Sequence, residues 1–523
     1  MKADVLVTAE QMRAIEAGLF EAGMPIPALM EKVAGLITLW LIDHFPVQAY
    51  PRVGVLVGPG HNGGDALVVA RELGFRGYQV QVCCPCQRQK PLTQDHLRFV
   101  TSLGWPVVPD LGAMQPVDVW VDGLFGFGLE RRIEAEVAAL IAAVNAQSQP
   151  VVSIDLPSGI HTDTGAVLGV AVQATHTLCL GLWKRAFGVD AALAYLGQSH
   201  LIDFHIPAAA IATGLGGLPP VRRLTQSTAL ERLPLPRSPA THKYRVGQLV
   251  ILAGSRQYAG AALLAGLGAR ASGVGMLTLV VPESLRLTVV GQIPEALVVG
   301  CPETATGSMA HLPADLDLSR YHAIACGPGL TRSALPIVEA ALASPSPLLV
   351  DADGLNLLAE LNPREQLPNR PAPTLLTPHP GEFKRLFPAL NLTPGEAGEA
   401  AQRAAQHSQS VIVLKGACTA IAHPDGRLWM NIASTSALAR GGSGDVLTGL
   451  MGGLLAQAVA AAEAHSQAVT PDLALDAALA ATWWHTQAAK QAATDHTELG
   501  VDGPRLASYL TPTLAKVWAG RQN

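Results

Sequence analysis

Residues Arg52–Gly74 read RVGVLVGPGHNGGDALVVARELG. The run Val53–Val57 is short, apolar and closed by glycine, which predicts a strand. Gly58–Gly64 is a glycine-rich turn. From Asp65 the apolar residues recur at helical spacing until Gly77, which predicts a helix with a glycine stop. A strand that passes through a glycine loop into a helix is half of a βαβ unit and implies a parallel sheet.

The same grammar continues outward. YQVQVCCP (Tyr78–Pro85), VDVWVDGLFGFG (Val117–Gly128) and PVVSIDLPSG (Pro150–Gly159) read as further strands ending in turns. EAEVAALIAAVNAQ (Glu134–Gln147) reads as a helix between them, and TAEQMRAIEAGLFEAG (Thr8–Gly23) as a leading helix capped by Thr8. Between Pro207 and Pro239 the texture turns to proline, glycine and arginine, which marks a domain junction.

A second α/β pattern then starts. GQLVILAGS (Gly247–Ser255), MLTLVVP (Met276–Pro282), YHAIACGPG (Tyr321–Gly329), PLLVDADGLNLL (Pro347–Leu358), PTLLTPHPGEF (Pro373–Phe383) and SVIVLKGACTAIA (Ser410–Ala422) each read as a strand running into a polar turn. YAGAALLAGLGARASG (Tyr258–Gly273) reads as a helix of small residues. ALARGGSGDVLTGLMGGLLAQ (Ala437–Gln457) follows, a glycine loop with one carboxylate, Asp445, at the mouth of an apolar helix. The fold class expected is α/β, with two three-layer α/β/α domains at 1–222 and 223–523.

With 523 residues, 49% hydrophobic and 15% charged, the chain has material for large cores in more than one domain. A net charge of −5 gives no general attraction to nucleic acid or anionic membrane. The N-terminus carries Asp4, Glu10, Arg13 and Glu16 and lacks the pattern of a signal peptide. The run after Asp445 is read as a buried helix rather than a membrane span. The seven cysteines include Cys83, Cys84 and Cys86 in a CCPC cluster, without paired zinc spacing, and fit a reducing cytoplasm.

In an open parallel sheet, ligands bind beyond the carboxyl ends of the strands. The loop GGSGD offers unpaired N–H groups at a helix N-terminus, an anion site, and Asp445 beside it can take a proton from a hydroxyl that attacks a phosphoryl group. Alone, such a loop is also consistent with an ordinary turn capped by aspartate. CGPGL, VDADGLNLL, LTPHPGEF and LKGACT, each after a strand, strengthen the reading of a site. His379, between two prolines, reads as a ligand contact and Lys415 as phosphate-facing. In the first module Asp65 is consistent with a helix cap, and Asp122 and Asp155 with turn formers. Two aspartates ending neighbouring strands beside a glycine loop favour a site.

On TPHPGEF, DADGLN and GSGD, the second module resembles the ribokinase-like, ADP-dependent NAD(P)H-hydrate dehydratases from Gln248 onward. On GPGHNGGDA, VDGLFGFGL and SIDLPSGIHTDTG, the first resembles the NAD(P)H-hydrate epimerases as far as about Pro207. The resemblance implies repair of reduced nicotinamide cofactors that have gained water. One domain, Rossmann-like, interconverts the R and S hydrates. The other phosphorylates the S hydrate with ADP and eliminates phosphate, leaving AMP and NAD(P)H.

Carried over, the resemblance implies hydrate contacts at His61, Asn62, Gly63, Gly64, Asp65, Gly126, Phe127, Gly128, Leu129, Glu130, Arg131, Arg132 and Asp155, with Asp155 as acid–base group. It implies K+ at Asn62, Asp122 and Ser158, oxygen ligands suited to a hard cation. In the second domain it implies S-hydrate contacts at Ala262, Gly329, His379 and Asp445, with Asp445 the catalytic base. The nucleotide would lie along Lys415, Gly416, Ala417, Cys418, Thr419 and Gly444, with Mg2+ accompanying ADP. The partners implied are NADHX, NADPHX and ADP, with no nucleic acid and no membrane, in a homo-oligomer.

The chain departs from the family pattern at His61, Ala66, Phe127 and Arg440. Two other readings compete. A ribokinase-like kinase fused to a regulatory module would give a stable phosphorylated product. A non-catalytic binding protein would tolerate loss of Asp155 and Asp445.

Overall fold

The computed structural model describes residues 4–217, 220–393 and 395–521, and the chain divides into two compact units, Met1–Arg222 and Arg223–Asn523. Leu218 and Pro219 of the expected junction lie outside the described residues. The rest of that segment is not a bare linker. It forms a helix at Ala208–Gly214 and another at Gln226–Leu230, because Ile211, Leu224, Leu230 and Leu233 are buried.

In the first unit the described strands form a parallel sheet in the order Val107–Val108, Gln79–Cys83, Arg52–Val57, Val119–Gly123, Val151–Ile154, His176–Leu180, Gln198–Ile202. Chain order reverses between Arg52–Val57 and Val119–Gly123. The loops after these two strands part company there, and such a switch point leaves a crevice at the carboxyl edge. Apolar clusters cover the sheet. The expected leading helix is present at Ala9–Glu21. Thr8 caps it, accepting from Gln11 N, while the Gln11 side chain accepts from Thr8 N. A short strand Val5–Val7 runs parallel to Trp183–Lys184, with Val7 opposite Lys184. This pairing fixes the position of Lys184.

The second unit has its own parallel run, Leu297–Cys301, Met276–Pro282, Gln248–Leu252, Ala323–Cys326, Leu348–Val350, Thr374–Leu376, Val411–Leu414. Its order reverses between Gln248–Leu252 and Ala323–Cys326. SVIVLKGACTAIA, expected as a strand running into a polar turn, carries a second strand after that turn. Val411–Leu414 turns at Lys415–Cys418 and pairs antiparallel with Thr419–Ala422, Leu414 opposite Ala420. The turn lifts Lys415 to the edge of the sheet.

The apolar run after Asp445 is the helix Ser443–Ala464, 83% buried over its most apolar window. It lies so close to Ala259–Ser272 that a Cβ on Gly449 would come 1.7 Å from Ala265 O, and one on Gly268 2.0 Å from Val446 O. The glycines are therefore packing surfaces. Hydrophobic residues of both helices and of the sheet share one core. All seven cysteines are free thiols, and no group of three or more His, Cys, Asp or Glu among the described residues is arranged to hold a metal ion.

Candidate active sites

The switch point of the first unit opens into a cavity of about 660 Å³. His61, Asn62, Asp65, Gly126, Phe127, Gly128, Leu129, Glu130, Arg131 and Asp155 line it. Gly63, Gly64 and Arg132 do not. A Cβ on Gly63 would come 2.1 Å from Gly58 O, and one on Gly64 2.7 Å from Met30 Cε, so these glycines serve close packing. Arg132 packs its side chain beside Gly169. Asp65 is not a helix cap. The helix spans His61–Phe75 with Gly60 at its N-cap, so Asp65 sits one turn inside.

Asp155 ends its strand at φ 70°, a left-handed conformation that costs a non-glycine residue on the order of 1 kcal/mol or more. The bend turns the carboxylate into the cavity. Oδ2 accepts from Phe127 N at 2.9 Å, and Oδ1 accepts from Lys184 Nζ at 2.5 Å. Lys184 is fully buried and also donates to Leu180 O at 2.6 Å. Burial pushes its pKa down, but Asp155 outweighs this and the net direction is up.

Glu16 and Asp65 also face the cavity, besides Glu130. Burial raises Glu16 to about 7, with Lys184 opposing, and burial followed by the charges of Asp155 and Glu16 lifts Asp65 well above the ordinary range. His61 is held below its ordinary value by burial and by Lys90.

Asp122 and Ser158 lie beneath the cavity floor, both fully buried. Ser158 Oγ donates to Asp122 Oδ1 at 2.6 Å. Ser158 N and Ser153 Oγ donate to Oδ2 at 2.9 and 2.8 Å. Burial still raises the Asp122 carboxyl. Asn62 Nδ2 is buried without a partner. The Asp122 carboxylate, Ser158 Oγ and the Asn62 side-chain carbonyl are oxygen donors of the type a hard monovalent cation takes, whereas the unpaired Asn62 Nδ2 is a hydrogen-bond donor and cannot ligate one.

In the second unit the expected residues gather along the carboxyl edge. Ala262 and Gly329 flank the reversal point, where Gly254 N donates to Pro328 O at 2.8 Å. Gly329 has φ 65°, and a Cβ there would come 2.8 Å from those of Ala261 and Tyr258. Ala262, expected as a hydrate contact, is fully buried and packs its side chain against Gly254. His379 caps the helix Pro380–Leu386. Its Nδ1 accepts from Gly381 N at 2.9 Å, and its Nε2 lies 3.4 Å from Glu382 Oε1. Burial, then Lys415, lowers its pKa.

Lys415 Nζ donates to Asp351 Oδ1 at 2.7 Å, and Thr448 Oγ1 donates to Asp351 Oδ2 at 2.6 Å. Burial pushes Asp351 up, but Lys415 and these hydrogen bonds outweigh it and hold the carboxyl below its ordinary value. A Cβ on Gly444 would lie 3.7 Å from Lys415 Nζ. The lysine therefore stands over the N-terminus of the helix that carries Asp445. Asp445 itself is raised to about 7, first by burial and then by the charge of Asp351, with Lys415 opposing.

Thr419 Oγ1 donates to Gly416 O, holding the Lys415–Thr419 turn. Cys418 is buried, and Ala417 precedes it in the same turn. Buried His485, lowered to about 4 by burial, bonds Ser443 O through Nε2 at 2.9 Å and anchors the GGSGD loop. Arg440 donates to Leu499 O and Val501 O at 3.0 and 3.2 Å, so its departure from the family pattern ties the loop to the segment before the last helix. Like Asp155, Ala352 beside Asp351 and Thr331 beyond Gly329 have positive φ, 50° and 68°.

Sequence reasoning missed Glu16, Lys184, Asp351, Thr448 and His485 as members of these sites. Lys184 had a signal, a lone lysine in the apolar stretch LCLGLWKRAFGV. Asp351 lay inside the quoted VDADGLNLL.

Comparison with known proteins gives two family matches, NAD(P)H-hydrate dehydratase over residues 249–512 and YjeF-related protein N-terminus over residues 27–186. A protein of Thermosynechococcus vestitus named bifunctional NAD(P)H-hydrate repair enzyme is 52% identical over 99% of this chain and 98% of its own length. A Synechocystis protein of the same name is 52% identical over 98% and 95%. A solved structure, the ADP/ATP-dependent NAD(P)H-hydrate dehydratase from Bacillus subtilis co-crystallised with ATP and Mg2+, is 33% identical with a TM-score of 0.44. It covers 54% of this chain and 94% of that one.

Proposed function

The chain belongs to the bifunctional NAD(P)H-hydrate repair enzymes, and from that premise we propose how its two sites divide the work. It is an isomerase and a lyase. It interconverts the epimers of hydrated NADH and NADPH and dehydrates the S form to the working cofactor.

The second unit, 223–523, performs the dehydration. The observation that carries this reading is Asp445, a half-buried carboxyl raised to about 7 at the mouth of a helix N-terminus, beside Lys415. A general base works best when its pKa lies near the working pH. Asp445 takes the hydroxyl proton of the S hydrate as the oxygen attacks the terminal phosphoryl group of ADP. AMP leaves, and the hydrate becomes a phosphate ester. Phosphate is a far weaker base than hydroxide, so it departs with its electron pair while an adjacent carbon gives up a proton and the ring double bond returns.

Gly444 and the turn Lys415, Gly416, Ala417, Cys418 and Thr419 receive the nucleotide. Backbone N–H groups at the helix start and the Lys415 ammonium oppose its negative charge. Gly329 and His379 border the hydrate. Mg2+ arriving on the phosphates would neutralise their charge, with Asp445 and Asp353 as the nearby carboxylates.

The first unit, 1–222, performs the epimerisation, with Asp155 as the acid–base group. K+ fits Asn62, Asp122 and Ser158, where it would offset the buried Asp122 charge. Free thiols at all seven cysteines support a reducing, cytoplasmic setting.

The test is to give the protein an equal mixture of both NADH-hydrate epimers with ADP, ATP or no nucleotide, and follow the absorbance of reduced nicotinamide. Complete recovery with ADP, faster than the epimers interconvert unaided, is expected. A stable phosphorylated product without recovered cofactor would overturn the reading in favour of a kinase.

A further inference from the structure

The epimerase cavity holds Asp155 and Glu16, and their surroundings are unequal. Asp155 accepts from Phe127 N, from Leu180 N at 3.4 Å and from Lys184 Nζ. Lys184 is fully buried, spends its other hydrogen bonds on Leu180 O and Cys179 Sγ, and lies 5.6 Å from the centre of the Phe127 ring. Glu16 enters the same cavity from the helix Ala9–Glu21 and has no hydrogen-bond or ion-pair partner among the described residues. Pairs of titratable groups whose environments differ in this way take opposite proton roles.

We propose that Lys184 divides these two carboxyls between a base and an acid, with ion-paired Asp155 taking a proton from the hydrate while Glu16 gives one. The inference rests on the reading of Asp155 as acid–base group and adds a second catalytic residue, Glu16, and a positioning residue, Lys184. The chemistry of the substrate asks for both roles. Water adds to an enamine with its oxygen on the carbon next to nitrogen, so the hydrate is a carbinolamine. Asp155 removes the hydroxyl proton, the C–O bond becomes C=O, and the C–N bond breaks with its electron pair going to nitrogen. Nitrogen takes the proton from Glu16. The freed aldehyde turns about its C–C bond and the steps reverse, nitrogen returning its proton to Glu16 and oxygen regaining one from Asp155. Protons and electrons balance, and no outside reagent is needed.

Other charges face Glu16. Asp65 and His61 come from the helix His61–Phe75, Lys90 from the loop before the next helix, and Arg13 from its own helix. Glu130, paired with Arg13 at 2.7 Å, and Arg131 stand on the rim. All of these persist in the variants below, so a changed profile reports on Glu16 or Lys184.

The test is the pH profile of kcat/KM for epimerisation in the full chain and in Glu16→Gln, Lys184→Met and Lys184→Arg, with dehydration of the pure S epimer as an internal control. Glu16→Gln is expected to lose about 10²-fold and the alkaline limb near pH 7. Lys184→Met is expected to move the acidic limb upward by a pH unit or more, and Lys184→Arg to keep it in place. A Glu16→Gln variant with the native rate and limb overturns the acid assignment. A Lys184→Met profile that is merely scaled down overturns the positioning role. If Lys184→Met does not fold, a shifted acidic limb in Lys184→Arg overturns it equally. Native epimerisation in Asp155→Asn, with the Glu16 limb still present, would instead sink the reading on which the inference rests.

Discussion

Each unit carries an aspartate and a lysine at the carboxyl edge of a parallel sheet, and the two lysines are spent differently. In the first unit Lys184 pairs with Asp155 itself, at 2.5 Å. In the second, Lys415 pairs with Asp351, at 2.7 Å, and leaves Asp445 without a cation of its own. The consequence is electrostatic. Asp445 feels burial and a like charge and rises to about 7, while Asp351 stays low. Where a lysine points therefore sets which carboxylate of a neighbourhood holds a proton at neutral pH. In the first site the lysine's hydrogen bond goes to Asp155, and Glu16 in the same cavity has no such partner among the described residues. The second site uses its lysine to keep a base poised near the working pH beside a nucleotide.

The largest effects come from removing the two aspartates. Asp445→Asn is expected to lower dehydration by about 10³-fold and to leave epimerisation intact, and Asp155→Asn to do the reverse. Pure epimers, assayed separately, read each loss. Cross-effects of equal size would break the claim that the two sites act separately.

A middle-sized effect concerns the lysine's partner. The native dehydratase rate should fall as pH drops below about 7, because protonated Asp445 cannot act as base. Asp351→Asn removes the like charge and releases Lys415, so the acidic limb should move to lower pH, by about one unit. Movement upward would contradict the comparison. The smallest effect belongs to Arg440→Ala. Loss of its two carbonyl contacts loosens the GGSGD loop, and KM for the nucleotide is expected to rise about threefold with kcat little changed, a cost of roughly 0.6 kcal/mol.

Much of this was legible in the chain. Strand–glycine–helix grammar placed both sheets, and the aspartates at strand ends and at the helix mouth stood out because their types and neighbours are local. The long glycine helix was legible as a buried element, and its partner contacts explain its composition. What stayed hidden depends on long-range placement. Glu16 and Asp155 are far apart in sequence and meet only because the leading helix borders the cavity. Lys184 is fixed by the pairing of Val5–Val7 with Trp183–Lys184, an element too short to announce itself. The turn at Lys415–Cys418 was legible as the strand ending LKGACT, but the antiparallel strand Thr419–Ala422 beyond it was not. Gly63 and Gly64, expected as ligand contacts, also pack closely against Gly58 and Met30, a role that only the neighbouring elements reveal.

The most direct measurement of the account gives an equal mixture of both NADH-hydrate epimers, with ADP, to the native chain, to Asp155→Asn and to Asp445→Asn, and follows the reduced nicotinamide absorbance. Full recovery is expected from the native chain, recovery that halts at the S half from Asp155→Asn, and almost none from Asp445→Asn. Full recovery at the native rate by either variant would contradict it.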